Sequence, residues 1–490
     1  MVAGVIWGSV NGALPGFGAA TGIALILPFT FGLEPVVALP MLAAVYAGGI
    51  YGGSITSIML GIPGTSSAAA TIFDGYEMTK KGQSKKALTG ALVASAIGGI
   101  LGGLVLLFAA PPLARAALLF GPAEYFVLAI FGLTIIASLA SGHILKGFIS
   151  GLIGLFIGTI GMDPIRGAMR YSFGFMHLYD GIPLIPLILS LFAFPRCLSL
   201  VKRISNNDIN QISNKENKVE GTAITVKEVK DHWKTILKSS VIGSIIGIIP
   251  AAGANIACFV GYSEAKRSSK DPSKYGTGIL DGVIAAEAAN NSVTGGSLVP
   301  MLTLGIPGNA VAAVLLGALM IQGLAPGFQL FTQHADITYT FILSIIVAHV
   351  IKLITMWKIS PIFAKIARVP VSILAPTLLI ISLIGAFVQR NYHFDVVTTS
   401  LLGLGFYFLM QIDFSMPAVL LGAILGPIAE TGFRRAMLTY SWDLTIFFKR
   451  PLSLFLIFLT IISIYAGLKM DAGDKKLAEL NEEQNSDFDK

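Results

Sequence analysis

The sequence predicts an all-α, polytopic membrane protein of two inverted structural repeats, with re-entrant hairpins, broken helices and about 10–12 membrane segments. The first observation behind this prediction is composition, because 54% of the 490 residues are hydrophobic and only 12% are charged. Apolar stretches of about 17–25 residues, the length that crosses a hydrocarbon core, recur along almost the whole chain. The second observation is a group of Gly-Pro interruptions inside apolar runs, which occurs twice in the same order.

Charge and the rarer residue types narrow the function classes. The formal net charge of +7 comes from loops, which indicates orientation and contact with lipid headgroups rather than with nucleic acid. Cys197 and Cys258 lie far apart in apolar surroundings, which favours two small core residues over a disulfide or a metal site. The sequence contains no P-loop motif and no GxSxG motif, which disfavours an ATPase and a membrane hydrolase.

A polar segment divides the chain into two membrane parts of similar size. Residues 1–201 are predicted to form the first membrane repeat and residues 235–468 the second. Residues 202–234 between them are polar and basic, which predicts a cytoplasmic linker with a short surface helix at its end. Residues 469–490 are rich in Glu, Asp, Asn and Lys, and this composition predicts a disordered tail.

Three segments of the first part recur in the second part in the same order. The first of them agrees at six of twelve positions without gaps. Compositional bias can give one such match but hardly three in register, so we interpret the halves as a duplication. The matched segments are GSVNGALPGFGA at 8–19 and GSIIGIIPAAGA at 243–254, GGS at 52–54 and 295–297, and GIPG at 61–64 and 305–308.

The basic residues predict that the two copies face opposite ways across the membrane. The KKGQSKK loop at 80–86 and the linker at 202–234 are cytoplasmic by the positive-inside rule. The apolar arms on either side of PAAGAN are too short to cross a ~30 Å core, and both have basic flanks. This predicts a re-entrant hairpin from the cytoplasm with its tip near Pro250–Asn255. The matching loop at 30–35 has no basic residue, so the hairpin around Pro15–Gly18 enters from the other side.

One group of basic residues contradicts this topology. Counting spans onward from the second hairpin puts Arg434, Arg435, Lys449 and Arg450 outside. Either one of the last spans is misplaced, or residues 434–451 lie as a basic amphipathic segment at the membrane interface.

The two GIPG motifs, which we call the breaks, interrupt apolar helices in a pattern that is typical of a transport site. Unpaired backbone survives at membrane depth only where protein or a water-filled cavity satisfies it. Paired broken helices in inverted repeats are typical of secondary transporters, with substrate and ion between the half-helix ends. Thr65 and Asn309 follow the two GIPG motifs and are predicted N-caps of half-helices. The alternative is that Gly and Pro only allow close packing or kinks. The predicted substrate-binding residues are Gly16, Ser54, Gly64, Thr65, Asn255, Ser297, Gly308 and Asn309.

One acid lies within an apolar helix beside the second GGS. Glu287, Asn290 and Asn291 are spaced i, i+3 and i+4, which places them on one helix face. An ionisable residue inside a membrane is expensive to bury and is a functional candidate by default. The three residues either hold Na⁺ or let Glu287 carry a coupled proton; a purely structural polar cluster is the alternative. No cofactor or other metal is predicted.

Long motifs across the chain resemble those of one transporter family. They include LPGFG, LPFTFGLEP, MLAAVYAGGIYGGSITSIMLGIPGT, DGYEM and GPAEYF in the first half. The second half adds IPAAGANIACFVGYSEAKRSSKDP and EAANNSVTGGSLVPMLTLGIPGNAVAAVLLGALMIQGLAPG. Together they resemble the large membrane subunit of the tripartite tricarboxylate transporters (TctA-like).

The resemblance implies a multi-pass permease of the bacterial inner membrane. It also implies a small four-span membrane subunit and a periplasmic substrate-binding protein as partners, with citrate or related carboxylates as substrate and a Na⁺ or H⁺ gradient as driving force. We therefore expect symport by alternating access, with the two hairpins and the GIPG breaks as the transport core. Two alternatives stay open: an organic-anion transporter that acts without a binding protein, and a membrane scaffold, which would not need paired Gly-Pro breaks.

Overall fold

The computed structural model describes residues 1–14, 16–137, 144–163, 167–205, 219–249, 253–366 and 371–465, and almost all of them are helical. The described part contains one pair of short antiparallel strands, β1 (Gly161–Met162) and β2 (Met169–Arg170). The chain forms two compact units. One comprises Met1–Ala117 and Leu184–Gly403, and the other comprises Leu118–Pro183 and Leu404–Lys490.

The helices alternate between long and short. Those before the polar linker are α1 (Val2–Ala13), α2 (Gly18–Thr30), α3 (Pro35–Leu60), α4 (Thr71–Lys80), α5 (Ser84–Ala116), α6 (Pro122–Ala137), α7 (Ile144–Gly158), α8 (Leu184–Ile188) and α9 (Phe194–Ser205). Those from the end of the linker onward are α10 (Val226–Asp231), α11 (Trp233–Ile248), α12 (Gly253–Ser268), α13 (Leu280–Gly296), α14 (Leu298–Leu304), α15 (Ala310–Ile321), α16 (Phe328–Thr332), α17 (Ala335–Ile366), α18 (Val371–Val388), α19 (His393–Gln411), α20 (Met416–Thr439), α21 (Ile446–Lys449) and α22 (Pro451–Tyr465).

Six of these segments are long and apolar enough to cross a membrane, which confirms the all-α membrane class. They are Pro35–Leu60, Ser84–Leu119, Leu184–Lys202, Ala335–Ser360, His393–Gln411 and Met416–Thr439. Six further apolar helices in the described residues are shorter. The tail at 469–490 and linker residues 206–218 lie outside the described residues.

The segments predicted as hairpins are pairs of short helices that pack on each other. α1 and α2 have 12 and 13 residues, and α11 and α12 have 16 each. At ~1.5 Å per residue each helix is about 18–24 Å long, shorter than a ~30 Å core. Pro15 and residues 250–252, which belong to the predicted tips, lie outside the described residues.

Helix α1 packs on α3 in the same register in which α11 packs on α13. A Cβ on Gly8 would lie 2.2 Å from the carbonyl oxygen of Val45, and one on Gly243 would lie 2.1 Å from that of Ala289. Only a residue without a side chain allows this approach of two helix backbones. The matched GSVNG and GSIIG segments therefore have the same packing role in the two halves.

In the second unit, α20 packs against α6 and α7, and ion pairs hold its end. Arg434 lies in α20 and pairs with Asp163 at 2.7 Å, and Arg450 pairs at 2.5 Å with the fully buried Glu124. Lys449 pairs with Asp443 at 2.9 Å, and hydrogen bonds from Thr445 and Lys449 lower the pKa of Asp443 to about 2.

The basic residues at 434–451 thus do not form one amphipathic segment, because Arg434 and Arg435 lie in α20, Lys449 ends α21 and Arg450 lies between α21 and α22. Three of the four have acidic partners. The partners of Arg434 and Arg450 are buried, whereas the Lys449–Asp443 pair is exposed.

Candidate substrate and ion site

The two GIPG motifs end helices α3 and α14 in the same way. Gly61 and Gly305, directly after these helices, have φ of +69° and +73°, a left-handed conformation that favours glycine. The last glycine of each motif then turns back: the Gly64 N–H donates to the Gly53 carbonyl and the Gly308 N–H to the Ser297 carbonyl, each at 3.3 Å. In each break one backbone N–H is thus paired with a carbonyl eleven residues earlier in the chain, which closes the loop.

The residues after the two motifs differ. Asn309 is the N-cap of α15, and its Oδ1 accepts the Ala312 N–H at 2.8 Å, which confirms the predicted cap. The prediction that Thr65 caps a half-helix is wrong. Thr65 precedes a single 3₁₀ turn, Ser66–Ala68, and its hydroxyl shares a hydrogen bond with Ser67 instead of accepting a backbone N–H.

The ends of the short-helix pairs lie against these same positions. A Cβ on Gly18 would lie 3.3 Å from Thr65 Cγ2, and one on Gly253 would lie 3.6 Å from Asn309 Cβ. The Ser66 hydroxyl donates to Asn255 Oδ1 at 2.9 Å, so the first break contacts the second short-helix pair directly. Tips and breaks from both halves of the sequence therefore meet at one place.

A buried tyrosine joins the second break to α3. The fully buried Tyr46 hydroxyl accepts a hydrogen bond from Asn309 Nδ2 at 2.8 Å and shares one with the Ser297 hydroxyl at 3.1 Å. The predicted residues Ser297 and Asn309 are thus brought together by a third side chain. Sequence reasoning missed Tyr46 because a lone tyrosine in an apolar helix is typical of a core position.

An arginine that the sequence analysis missed lies beside the first tip. Gly16 is exposed between α1 and α2 with φ of +88°, and a Cβ there would lie 4.0 Å from Nη1 of Arg196. Arg196 is exposed in the first turn of α9, directly after a π-helical turn at Leu189–Ala193. Such turns occur frequently at functional sites. In the sequence, an arginine at this position is typical of a charge that flanks an apolar span, so it was not predicted as a site residue.

Glu287 is fully buried and accepts hydrogen bonds on both carboxylate oxygens. Oε1 accepts from the hydroxyls of Ser54 at 2.6 Å and Thr71 at 2.5 Å. Oε2 accepts from the Ser95 hydroxyl at 2.8 Å and from Asn291 Nδ2 at 3.4 Å. Ser54, predicted among the substrate-binding residues, thus binds Glu287, while Asn291 joins it as the helix spacing predicts.

The sequence analysis also missed a buried cation in this cluster. Lys352 lies inside α17 with no exposed surface; its Nζ donates to Asn291 Oδ1 and shares a hydrogen bond with His349 Nδ1, each at 2.9 Å. His349 is buried too, and its Nε2 lies 3.1 Å from the Thr294 hydroxyl. The sequence did contain a signal for this cation, because Lys352 lies well inside an apolar segment that forms a 32-residue helix. We refer to Ser95, Glu287, Asn291, His349 and Lys352 as the buried polar cluster.

Asn290 is not part of this cluster. It is fully buried, and neither of its amide atoms has a hydrogen-bond partner within the described ranges. Leaving a buried amide without partners is energetically costly. The sequence predicts that Asn290 shares a helix face with Glu287 and Asn291, but in the structure its side chain has no hydrogen bond to either of them.

The two sites are connected by the same pair of helices. Helix α3 carries Tyr46 and Ser54, and α13 carries Glu287, with Ser297 directly after its end. At ~1.5 Å per residue, the break and the buried polar cluster are about 12–15 Å apart along these helices. A shift of α3 against α13 would therefore change both sites together.

Comparisons with known proteins identify the family to which the chain belongs. Residues 1–421 match the profile of the tripartite tricarboxylate transporter TctA family. An uncharacterized 52.8 kDa protein in the TAR-I ttuC' 3'region of Agrobacterium vitis is 34% identical over 450 residues, covering 92% of this chain and 89% of the relative. An uncharacterized protein in the TAR-II ttuC' 3'region of the same organism is 32% identical over 226 residues, which is 46% of this chain and 93% of that relative. No solved structure matches the chain significantly. The chain belongs to the TctA family of tripartite tricarboxylate transporters and is a multi-pass membrane protein of a transport system.

Proposed function

We propose that the chain is the large permease subunit of a binding-protein-dependent secondary transporter, which imports tricarboxylates or related organic acids by cation symport. The observation that carries this proposal is the meeting of four backbone interruptions, two short-helix tips and two GIPG loops, at one place. Interrupted helices expose N–H groups and side-chain donors to an anion without leaving unpaired backbone in lipid. The partners are a small four-span membrane subunit and a periplasmic binding protein, and the location is the bacterial inner membrane.

The substrate lies among the tips and breaks in this proposal. Thr65, Ser66, Asn255 and Asn309 offer hydroxyl and amide groups, and Arg196 offers a guanidinium, which pairs with carboxylates in bidentate geometry. Gly16, Gly64, Ser297 and Gly308 shape the backbone around it. Repeated packing of Gly8 and Gly243 supports two structural repeats, and the basic loops support opposite orientations.

The transport cycle is alternating access. The short-helix pairs and the GIPG loops move as a transport core, and the α3–α13 pair transmits substrate binding to the buried polar cluster. Coupling needs a cation at that cluster, because binding energy from substrate and cation together must favour the loaded state that reorients.

The proposal is tested with the chain, its small membrane subunit and its binding protein in lipid vesicles. Uptake of ¹⁴C-citrate with an inward cation gradient and without ATP is the expected result. Uptake that persists when the binding protein is left out would favour the alternative of an independent organic-anion transporter. A system that moves no carboxylate under any gradient would favour the scaffold.

Replacing Asn309 with alanine is expected to weaken substrate binding about tenfold, the effect of about one hydrogen bond. The change removes a helix cap and the contact with Tyr46, while the fold keeps most of its stability. The measurement is citrate binding by the membrane complex, with the unfolding temperature recorded in parallel. Ser415→Ala is the matched control, because Ser415 caps α20 by the same kind of bond. Equal affinities in Asn309→Ala and the wild type would contradict a substrate role for this break.

Replacing Arg196 with glutamine is expected to raise the KM for citrate by about 10–100-fold, because a hydrogen bond to a charged group contributes about 1.5–3 kcal/mol. Arg196→Lys should retain part of the affinity, since lysine keeps the charge but not the planar fork. Arg435→Gln, an exposed arginine of α20, is the control for loss of surface charge. The measurement is the initial rate of uptake against citrate concentration. An unchanged KM in Arg196→Gln would remove this residue from the site.

A further inference from the structure

We propose that the coupled cation is a proton carried by Lys352, whose ammonium group takes the place that a bound Na⁺ would need in the buried polar cluster. This inference rests on the proposed function, since it names the ion that drives that symport. The inference is based on the contacts of Lys352, the contacts of Glu287 and the charges of the side chains around them.

The three hydrogens of a lysine ammonium match the three acceptors around Nζ. These are Asn291 Oδ1 and His349 Nδ1, each at 2.9 Å, and the carbonyl oxygen of Ser95 at 3.4 Å. An ammonium group can only donate, so His349 Nδ1 must accept and the imidazole proton sits on Nε2, facing Thr294. The site therefore offers an acceptor for each of the three hydrogens of the protonated form of Lys352.

Glu287 is the counter-charge, and its oxygens are already occupied. Four donors converge on it, two on each oxygen, which is the full acceptor capacity of an ionised carboxylate. Asn291 and Ser95 bridge the carboxylate to the ammonium. The pair is neutral as a whole, and adding Na⁺ would leave a net positive charge without solvent, which is costly. The cluster therefore favours one cation, and Lys352 supplies it.

Few titratable side chains other than Lys352 are in a position to carry the coupled proton. Helices α1, α3, α5 and α16 pack against α17. Helix α3 presents Tyr51, whose ring centroid lies 5.9 Å from Nζ, and α5 presents Ser95. Helices α1 and α16 contain no titratable side chain. His349 lies on the same helix as Lys352, and Glu287 faces both from α13.

Transport then moves one proton per cycle on Lys352. The Nζ–H bond breaks, its electron pair stays on Nζ, and the proton passes to His349 Nδ1, 2.9 Å away. The imidazole then releases its Nε2 proton, past the Thr294 hydroxyl, to a water molecule that enters from the cytoplasmic side once the core has reoriented, so no net charge remains on His349. Loss of the proton leaves Glu287 buried without a counter-charge, which destabilises this state until a new proton arrives. The empty transport core returns without this proton and binds the next one from the outside, so that one proton enters with each substrate.

The test compares two gradients in vesicles that contain the complete system. Uptake of ¹⁴C-citrate is followed with an inward proton gradient at equal Na⁺, and with an inward Na⁺ gradient at equal pH, while pyranine inside the vesicles reports proton entry. We expect uptake and acidification with the proton gradient and at least a tenfold lower uptake with Na⁺ alone. Uptake driven by Na⁺ without acidification would overturn this inference and leave the proposed function intact. If neither gradient drives uptake, both this inference and the proposed function are overturned.

Two variants of Lys352 separate carrying a proton from holding the structure. Arginine keeps a positive charge but does not release its proton, so Lys352→Arg should lose at least about 90% of proton-driven uptake while still binding citrate. Lys352→Met removes the charge, and citrate entry should then be independent of pH. Lys358→Arg is the control, because Lys358 is exposed on the same helix. Proton-driven uptake at the wild-type rate in Lys352→Arg would show that the proton is carried elsewhere.

Discussion

Replacement of Glu287 by glutamine is expected to lower gradient-driven citrate uptake by at least about 100-fold. Glutamine has the same shape, but it lacks the charge that balances Lys352 and has one acceptor oxygen for the four donors around Glu287. Breaking a buried ion pair by removing one partner costs about 3–5 kcal/mol, so stability should fall as well. The measurement is the initial rate of uptake by the complete system in vesicles, together with the unfolding temperature of the chain.

A second variant distinguishes loss of coupling from loss of fold. Combining Glu287→Gln with Lys352→Met removes both charges, which should restore the unfolding temperature without restoring coupled uptake. Glu34→Gln is the control, since Glu34 is an exposed acid at the start of α3. If Glu287→Gln takes up citrate with the ion dependence of the wild type, Glu287 has no role in coupling.

Placing a methyl group on either break is the second change with a large expected effect. In Gly64→Ala the new Cβ would lie 2.4 Å from the Gly12 carbonyl oxygen, and in Gly308→Ala it would lie 2.7 Å from the Gly247 carbonyl oxygen. Overpacking of this kind costs about 1–3 kcal/mol and moves the loop away from the short-helix pair. We expect each variant to lose about 90% of uptake, because in the proposed mechanism the loop and the tip form the substrate site together.

The matched control for these variants is Gly32→Ala, because no atom lies within 4 Å of a Cβ at that position. It should leave both uptake and unfolding temperature close to those of the wild type. The two break variants are also a test of the repeat, since equivalent glycines should have similar effects. A large loss at one break and full activity at the other would argue against two equivalent halves.

Much of the membrane fold could be predicted from the sequence, because apolar length and Gly-Pro interruptions are local features. The ends of α3 and α14 at GIPG, the short-helix pairs and the cap at Asn309 follow from residues close together in the chain. Lys352, His349, Arg196 and Tyr46 could not be placed in this way. Their partners come from other helices, and one sequence does not show which helix faces are in contact.

Ser54 and Ser297 are equivalent in the predicted repeat but have different partners in the structure. The GGS motifs align Ser54 with Ser297, but the loop-closing hydrogen bonds pair Gly53 with Ser297, because one residue is inserted between GGS and GIPG in the second copy. One residue on a helix turns a side chain by about 100°. Ser54 therefore faces Glu287, whereas Ser297 faces Tyr46.

Accumulation of citrate against its own gradient tests the central claim most directly, namely that substrate and cation bind to one alternating permease. Vesicles with the complete system receive an inward proton gradient, no ATP and a low external concentration of ¹⁴C-citrate. We predict an internal concentration well above the external one in the wild type and no accumulation in Glu287→Gln. Citrate that only equilibrates across the membrane in the wild type, or that accumulates only with ATP, would contradict the account.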